Sequence, residues 1–193
     1  MTAQVVLLAG PSGAGKSRLA VRSGLPILQL DDFYKEGDDP SLPRLTGGAV
    51  DWDHPASWDA EAAMAALVVL CRTGRIDVPM YDIAANARSG TQVLHLDGAR
   101  CLVAEGIFAG ELARPCADAG VLAAALCVRR SRCVTFVLRL TRDLREHRKP
   151  PLFLVRRGLL LARREKAIVA TLVSQGCRTV TPRQAERLLA DLA

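Results

Sequence analysis

Eight consecutive residues near the start of the chain have the types and spacing of a phosphate-binding loop. Residues 10–17 read Gly-Pro-Ser-Gly-Ala-Gly-Lys-Ser, and four residues separate the first and last glycines, as the Walker A pattern requires. Glycine backbone can turn its N–H groups toward phosphate oxygens, and the positive end of a following helix strengthens that attraction. In this pattern Lys16 reaches the β and γ phosphates, and the hydroxyl of Ser17 binds Mg²⁺. The predicted triphosphate-binding residues are Gly10, Pro11, Ser12, Gly13, Ala14, Gly15, Lys16 and Ser17.

The segments on either side of this loop predict the elements that must hold it. An apolar run at 5–9 precedes the loop as a buried strand would, and a helix-prone segment at 16–22 follows it. At 193 residues, half of them hydrophobic, the chain is long enough for one compact domain, which we place at 1–193. The strand–loop–helix order predicts an α/β fold with a parallel sheet.

Acidic residues follow two further predicted strands and would reach the same edge of that sheet. The run 25–30 leads into Asp31 and Asp32, and the buried strand 101–105 ends in Glu105. In a parallel α/β sheet, residues just past the carboxyl ends of the strands line the ligand crevice. We therefore place Asp31 near the terminal phosphate, where a phosphoryl acceptor must lie, and keep a turn or cap role for Asp32 as the alternative. Glu105 has the place of a Walker B acid that meets Mg²⁺ directly or through water, although an acid can also simply terminate a strand.

Basic residues are concentrated in the second half of the chain. The formal net charge is +6, and arginine supplies 22 of the 26 basic residues. Within 139–149, Arg139 and Arg142 would share one helix face. The arginine fork suits clustered phosphates, and the segment lacks the aromatic interleaving typical of nucleic-acid-binding surfaces. We expect a phosphate-clamping lid at about 139–151, with a solvated basic helix and a nucleic-acid surface as the alternatives.

The remaining elements are predicted from periodicity and from turn residues. They are a helix at 57–71, strands at 91–96, 134–138 and 178–181, a long or broken helix at 152–175 without assigned chemistry, and a C-terminal amphipathic helix. Pro55 suits the start of the helix at 57–71, and Gly74 suits its end. Trp52 and Trp58 are expected to pack, and His54 lacks the second ligand that a metal site would need.

The cysteines and the apolar runs indicate a cytoplasmic protein. The six cysteines form no Cys-x-x-Cys pair and stand mostly in apolar runs, so we expect reduced thiols rather than a zinc or disulfide framework. The start of the chain lacks the basic region of a signal peptide. The longest uncharged apolar runs, 62–71 and 119–128, are too short to cross a bilayer, so no membrane partner is expected.

Six motifs in order resemble the uridine kinase and phosphoribulokinase family of P-loop kinases. They are Gly-Pro-Ser-Gly-Ala-Gly-Lys-Ser, Asp-Asp-Phe-Tyr, Asp-Trp-Asp-His-Pro, Pro-Met-Tyr-Asp, Glu-Gly-Ile-Phe-Ala and Arg-Asp-Leu-Arg-Glu. The resemblance extends from about 5 to 182. It implies a P-loop NTPase fold with a five-stranded parallel sheet, helices on both faces and a basic helical lid. It also implies a kinase that uses ATP and Mg²⁺ and transfers phosphate to an alcohol group of a small molecule.

The resemblance assigns residues to the acceptor side of the site. By that carry-over, Asp31 binds the acceptor hydroxyl and accepts its proton. Asp53 and Arg139 hold ribose hydroxyls, and Tyr34 and Tyr81 wall the nucleoside site. The implied acceptor is the 5′-hydroxyl of a ribonucleoside such as uridine or cytidine.

The donor side and the departures from the family pattern complete this hypothesis. Arg142 contacts ATP from the lid, and together with Lys16 and Asp31 it makes the implied catalytic set. Uridine kinases carry a histidine that reads the pyrimidine at the position of Asn86, and asparagine has a different reach and does not titrate. His147 and Lys149 stand where the lid usually has arginines. The Asp-Asp-Phe-Tyr-Lys stretch is also similar to nicotinamide riboside kinases, so that nucleoside competes with uridine as the acceptor.

Other functional classes remain alternatives. A GTPase would carry an Asn/Thr-Lys-x-Asp signature, and the chain has a single asparagine, Asn86, without it. A regulatory P-loop ATPase would hydrolyse ATP without a small acceptor, whereas a kinase would be nearly idle until its acceptor arrives. A nucleic-acid role has only the arginine content in its favour and would show strongly salt-dependent binding. The choice between ATP and GTP and the formation of a homo-oligomer are left open by the sequence.

Overall fold

A computed structural model describes residues 2–11, 13–130 and 166–192 of the chain. Its strands are β1 (Gln4–Ala9), β2 (Ile27–Gln29), β3 (Arg75–Asp82), β4 (Ala87–His95), β5 (Cys101–Glu105), β6 (Leu122–Val128) and β7 (Arg178–Val180). Its α-helices are α1 (Lys16–Ser23), α2 (Ala60–Thr73), α3 (Ala113–Asp118), α4 (166–174) and α5 (Pro182–Ala190). Three 3₁₀ turns occupy Leu30–Phe33, Pro55–Ser57 and Ala109–Leu112.

Five strands form one parallel sheet in the order β2-β5-β1-β6-β7. The predicted α/β P-loop fold with a five-stranded parallel sheet is therefore confirmed. We did not predict β6, because three successive alanines at 123–125 give no β-branched strand signal. The strand predicted at 134–138 lies outside the described residues.

Both faces of this sheet are buried, which explains the apolar character of β1. Alternate side chains of a strand point to opposite faces. Accordingly, Val5 and Leu7 belong to a core cluster that includes α2 residues, whereas Val6 and Leu8 belong to a cluster that includes α1 and α5 residues. All four side chains are 0% exposed. Burying each one stabilises the fold by about 1.5–3 kcal/mol, so the strand that leads into the phosphate loop is held firmly.

The strands β3 and β4 form a separate antiparallel hairpin rather than part of the main sheet. The exposed strand predicted at 91–96 is the second half of β4, which pairs along its length with β3. The hairpin turns at residues 83–86 and packs against the 3₁₀ turn at Leu30–Phe33. This contact brings the hairpin next to the end of β2.

The helix predicted at 57–71 begins later than expected. Pro55 starts a 3₁₀ turn, and α2 begins at Ala60 because the side chain of Asp59 accepts a hydrogen bond from the N–H of Ala62 and caps the helix. Its end is as predicted, since Gly74 adopts the left-handed conformation with φ of 75° and caps the helix.

Several predictions fall on residues that the structure does not describe. The lid at 139–151, with Arg139, Arg142, His147 and Lys149, lies outside the described residues, as does most of the helix predicted at 152–175. The described end of that segment, 166–174, is helical.

Candidate active site

The phosphate loop connects β1 to α1, as the sequence predicted. Gly10, Gly13 and Gly15 have φ values of 138°, 83° and 94°, a region that side chains disfavour. A Cβ atom built on Gly10 would lie 2.5 Å from the carbonyl oxygen of Val128 in β6, so no larger residue fits there. Ser12 lies outside the described residues. The loop therefore has the glycine-dependent backbone that a phosphate cradle needs.

The side chain of Lys16 is directed back across this loop. It is buried, at 8% exposure, and its Nζ donates a hydrogen bond of 2.9 Å to the carbonyl oxygen of Gly10. The contact holds the ammonium group over the loop, where the phosphates of a triphosphate would lie. Ser17, in the first turn of α1, is exposed, and Pro11 and Ala14 are buried.

Asp31 lies in the 3₁₀ turn directly after β2 and is surrounded by charges. Burial and the nearby carboxylate of Glu105 raise the pKa of Asp31 to about 6, while the ammonium of Lys16 and a hydrogen bond from the N–H of Ile107 act to lower it. The structure thus brings Asp31, Glu105 and Lys16 together at one edge of the sheet. A carboxylate with a pKa near neutrality is suited to accepting a proton from an acceptor hydroxyl.

Asp32 has a structural role that distinguishes it from its neighbour. Its carboxylate accepts a hydrogen bond of 3.0 Å from the backbone N–H of Tyr81 in β3. The hydroxyl of Tyr81 in turn donates to the carbonyl oxygen of Lys35 at 3.0 Å. These two bonds join the segment after β2 to the hairpin. The alternative that Asp32 holds the turn therefore has direct geometric support, and of the two neighbouring aspartates it is Asp31 that lies near Glu105 and Lys16.

Glu105 ends β5, which lies between β2 and β1 in the sheet. Its side chain is buried, and its backbone is in register with Leu8 of β1 and Gln29 of β2. The residues present fit Mg²⁺, because Glu105 offers a buried carboxylate oxygen and Asp31 stands close enough to feel its charge. Mg²⁺ commonly takes one or two carboxylates together with substrate phosphates. Among the described ranges, no group of three or more His, Cys, Asp or Glu side chains could hold a metal alone.

Aromatic side chains form a wall beside Asp31. The ring of Tyr34 lies 5.6 Å from Trp52, 5.8 Å from Tyr81 and 6.1 Å from Phe108, measured between ring centroids. Burial, with the negative charges of Asp31 and Asp53 nearby, raises the pKa of Tyr34, so this hydroxyl stays protonated.

The other residues predicted around the aromatic wall have clear positions. Asp53 is exposed and close enough to Tyr34 for its charge to act on that hydroxyl. Trp58 packs as expected: it stacks on Phe108 with a centroid distance of 5.5 Å and donates a hydrogen bond to Glu111. His54 caps a 3₁₀ turn by accepting a hydrogen bond from the N–H of Ala56.

Asn86 forms part of the turn between β3 and β4. It has a φ of 51°, a left-handed conformation that asparagine tolerates better than most residues. Its carbonyl oxygen accepts a hydrogen bond of 2.8 Å from the N–H of Gly37. The turn geometry supplies a local reason for asparagine at this position, independent of any contact with an acceptor.

Two glycines that were not among the predicted site residues also contribute to the site. A Cβ on Gly106 would lie 2.8 Å from the Cβ of Leu30 and 3.2 Å from Oδ1 of Asp31. A Cβ on Gly37 would lie 2.9 Å from the Cβ of Asn86. Each glycine permits a close approach that forms the acceptor side. The Glu-Gly pair after an apolar strand was a usable signal for Gly106, whereas Gly37 stands in a loop without one.

A basic cavity of about 940 Å³ lies on the other side of the phosphate loop. It is bordered by α1, the end of β6 and the turn between β7 and α5. Its charged lining residues are Arg18, Arg22, Arg129, Arg130, Arg183 and Glu186. Glu186 pairs with Arg22 at 2.6 Å, and the other four arginines give the lining a strongly positive charge. Such a cavity next to Gly15 suits an anionic ligand that extends from the loop.

Comparisons with known proteins agree with these motifs over part of the chain. No protein-family model matches. A uridine kinase from Deinococcus deserti is 34% identical over 113 residues, which are 54% of this chain and 53% of that protein. A uridine kinase from Schizosaccharomyces pombe is 34% identical over 109 residues, 53% of this chain and 24% of that protein. The match thus spans about half the length of the first relative and less of the second.

Solved structures share the fold over more of the chain. A proposed fructose transport system kinase from Silicibacter sp. TM1040 aligns with a TM-score of 0.64 and 21% identity over 88% of this chain and 85% of that one. The phosphoribulokinase from Rhodobacter spheroides aligns with a TM-score of 0.54 and 12% identity over 90% of this chain and 68% of that one. At these identities the likeness concerns the fold.

Within residues 2–11, 13–130 and 166–192, no helix combines the length and apolar character needed to cross a membrane.

The motifs and the comparisons together indicate which proteins this chain resembles. The predicted resemblance to the uridine kinase and phosphoribulokinase family of P-loop kinases is confirmed, by sequence over about half of the chain and by fold over most of it.

Proposed function

We propose that this chain is an ATP- and Mg²⁺-dependent kinase that transfers the γ-phosphate to a hydroxyl group of a small acceptor. The acceptor in this proposal is the 5′-hydroxyl of a ribonucleoside, with uridine or cytidine first. The observation that carries the proposal is the position of Asp31, which stands with Lys16 and Glu105 at the carboxyl edge of the sheet.

The chain's own residues can perform most of the transfer. Asp31 would accept the proton of the acceptor hydroxyl while that oxygen bonds to the γ-phosphorus. The bond between the γ-phosphorus and the β–γ bridging oxygen then breaks, and ADP leaves. Lys16 would neutralise charge on the β and γ phosphates, and the N–H groups of the loop would orient them. When bound by Ser17 and Glu105, Mg²⁺ would supply further charge neutralisation between the phosphate oxygens.

The aromatic wall supports a flat ring system on the acceptor. Tyr34 lies close to Asp31 and packs against Tyr81, and Asp53 stands close to Tyr34 with a carboxylate that can accept hydrogen bonds from ribose hydroxyls. Arg139 and Arg142 complete the proposed set as ribose-binding and ATP-binding residues. Asn86 is proposed to contact the base from the hairpin turn, and the nature of that base is what the experiment must establish.

The proposal is tested by an ADP-release assay across uridine, cytidine, other nucleosides, nicotinamide riboside, pantothenate and sugar phosphates. A kinase should release ADP rapidly with one acceptor class and very slowly with none. Lys16→Ala should lower turnover with that acceptor by about 10²-fold or more, because the γ-phosphate loses its main counter-charge. Lys166→Ala, which removes an exposed lysine in α4, is the matched control and should behave as wild type. ADP release that is equally fast without any acceptor would indicate an ATPase instead.

A further inference from the structure

Arg130, just past the end of β6, contacts the phosphate loop with its guanidinium group. Its Nε donates a hydrogen bond of 2.9 Å to the carbonyl oxygen of Ala14, although 116 positions separate the two residues. A Cβ built on Gly15 would lie 3.4 Å from Nη2, 3.7 Å from Nε and 3.9 Å from Cζ of the same side chain. The guanidinium therefore lies against the Cα of Gly15.

This contact fixes the loop at the point where it enters α1. The start of the loop is already held by β6, because Gly10 packs against the carbonyl oxygen of Val128. Arg130 adds a second connection from the same strand to the last two loop residues before Lys16. The end of β6 thus holds the phosphate loop at both ends.

The same guanidinium also borders the basic cavity described above. A guanidinium carries five N–H donors, and the Nε–H is the one that donates to the loop. Arg130 lines the cavity together with Gly15 and Arg129. An anionic group that extends from the loop into this cavity would meet the terminal nitrogens of Arg130.

We infer that Arg130 binds the polyphosphate of the donor nucleotide while holding the phosphate loop in its binding conformation. This inference rests on the proposed function and adds a donor-binding residue outside the Walker A segment. The fork geometry is essential, since one side chain must donate to Ala14 and to phosphate oxygens in fixed directions. Lysine, a single flexible ammonium group, cannot do both in the same way.

The competing explanation is that Arg130 is a strut, a side chain that supports the phosphate loop without contacting phosphate. Nucleotides with different numbers of phosphates distinguish the two explanations. A strut would support the loop equally for every nucleotide. A phosphate-binding residue would matter more for ATP and ADP than for AMP, which has a single phosphate. The ratio of the AMP Kd to the ADP Kd is therefore the readout, alongside the melting temperature of the protein without nucleotide.

The experiment compares wild type with Arg130→Gln, Arg130→Lys and Arg72→Gln. Arg72 is an exposed arginine in the last turn of α2, so Arg72→Gln controls for the loss of one positive charge. ATP and ADP binding is measured by calorimetry, and AMP binding by displacement of a fluorescent ATP derivative. Arg130→Gln should raise the ATP and ADP Kd values about tenfold or more and lower the AMP-to-ADP ratio similarly. The ATP and ADP Kd values of Arg130→Lys should lie between those of wild type and Arg130→Gln, and those of Arg72→Gln should match wild type.

Two results would overturn the inference. One is an Arg130→Gln protein that binds ATP and ADP as wild type does. The other is an equal loss for all three nucleotides with a lowered melting temperature, which would show a strut. If Arg130→Gln does not fold, Arg130→Lys decides, because wild-type affinities in that variant would remove the need for the fork. Wild-type protein that binds none of the three nucleotides would instead refute the proposed function itself.

Discussion

At the scale of single residues, the features that suit Asp31 to its proposed role also destabilise the folded protein. Its carboxyl is largely buried and stands beside Glu105, and both effects raise its pKa from 3.8 to about 6. At neutral pH the group is ionised in a place that disfavours its charge. The same placement next to Lys16 makes it suitable as the proton acceptor. Such conflict is common where a site is arranged for a reaction rather than for folding.

Asp31→Asn should therefore stabilise the protein without ligands at about pH 7. The folded state holds the proton of Asp31 more tightly than the unfolded chain, so stability declines as pH rises from about 4 to 6. Removing the charge should recover about 1–2 kcal/mol after allowance for partial exposure, or a rise in melting temperature of about 2–6 °C. Thermal unfolding of both proteins at several pH values measures this difference in melting temperature.

The control and the contradicting result for this variant are both clear. Asp118→Asn alters an exposed aspartate at the end of α3 and should leave the melting temperature nearly unchanged. The advantage of Asp31→Asn should shrink as pH falls toward about 4, where the wild-type carboxyl becomes protonated as well. A destabilised Asp31→Asn protein at neutral pH would show that the ionised carboxylate is favourably held.

The raised pKa of Asp31 also predicts the pH dependence of turnover. A proton acceptor must be ionised, so kcat/KM for the acceptor should fall about tenfold per pH unit below about pH 6. In the protein without Mg²⁺, the charge of Glu105 raises the pKa of Asp31, so Glu105→Gln should lower that pKa, as measured by NMR titration of the Asp31 carboxyl. An Asp31 pKa that is the same in both Mg²⁺-free proteins would contradict the coupling between the two carboxylates.

Glu105→Gln should in addition raise the requirement for Mg²⁺. The variant replaces the carboxylate proposed to bind Mg²⁺ by a neutral amide, so the Mg²⁺ concentration for half-maximal activity should rise by about ten- to a hundredfold. Titration of MgCl₂ at fixed ATP measures this change, with Glu61→Gln in the first turn of α2 as the exposed control. An unchanged Mg²⁺ requirement would leave Glu105 as a residue that only ends β5.

At the scale of elements, the acceptor side depends on how the hairpin docks. The segment after β2 is joined to β3 and β4 by the bonds between Asp32 and Tyr81 and between Gly37 and Asn86. The carboxylate of Glu36 also accepts a hydrogen bond of 3.1 Å from the N–H of Arg88. These contacts position Tyr81 beside Tyr34, so Tyr81 belongs to the aromatic wall only when the hairpin packs in this way.

Gly37→Ala should weaken acceptor binding while leaving the donor side intact. The added Cβ would lie 2.9 Å from Cβ and 3.0 Å from the carbonyl oxygen of Asn86, so the hairpin must shift. We expect an increase of about tenfold in the KM of the acceptor and an unchanged ATP Kd, because a misplacement of about 1 Å can cost as much as about 10²-fold in rate. Gly47→Ala is the matched control, because no atom lies within 4 Å of its added Cβ. Equal effects of the two substitutions would argue against this docking.

Some elements could be predicted from the sequence and others could not, for physical reasons. The phosphate loop and β5 were predictable because each combines a buried apolar strand with a residue type fixed by backbone or charge. The separate hairpin was not, since β3 and β4 pair locally and their seat on the turn after β2 depends on side-chain bonds such as that of Asp32. The contact of Arg130 with Ala14 joins residues 116 positions apart, and no spacing rule reports such a contact.

At the scale of the whole molecule, two chemically different regions lie along the carboxyl edge of the sheet, on either side of β1. On one side of the phosphate loop lie Asp31, Glu105 and the aromatic wall, and on the other lies the basic cavity that includes Arg130. The core clusters on both faces of the sheet hold this arrangement, with β1 buried between them. In the proposed reaction, the acceptor and the triphosphate would approach the same point from these two directions.

The most direct test of the proposed kinase mechanism is to measure single-turnover phosphate transfer by Asp31→Asn together with the ATP affinity of this variant. With the acceptor found in the screen, the variant should transfer the γ-phosphate about 10²–10⁴-fold more slowly than wild type, because the acceptor hydroxyl has lost its proton acceptor. Its ATP Kd should stay within about twofold of wild type, since the phosphate loop is unaltered. An Asp31→Asn protein that transfers phosphate at the wild-type rate would contradict the account.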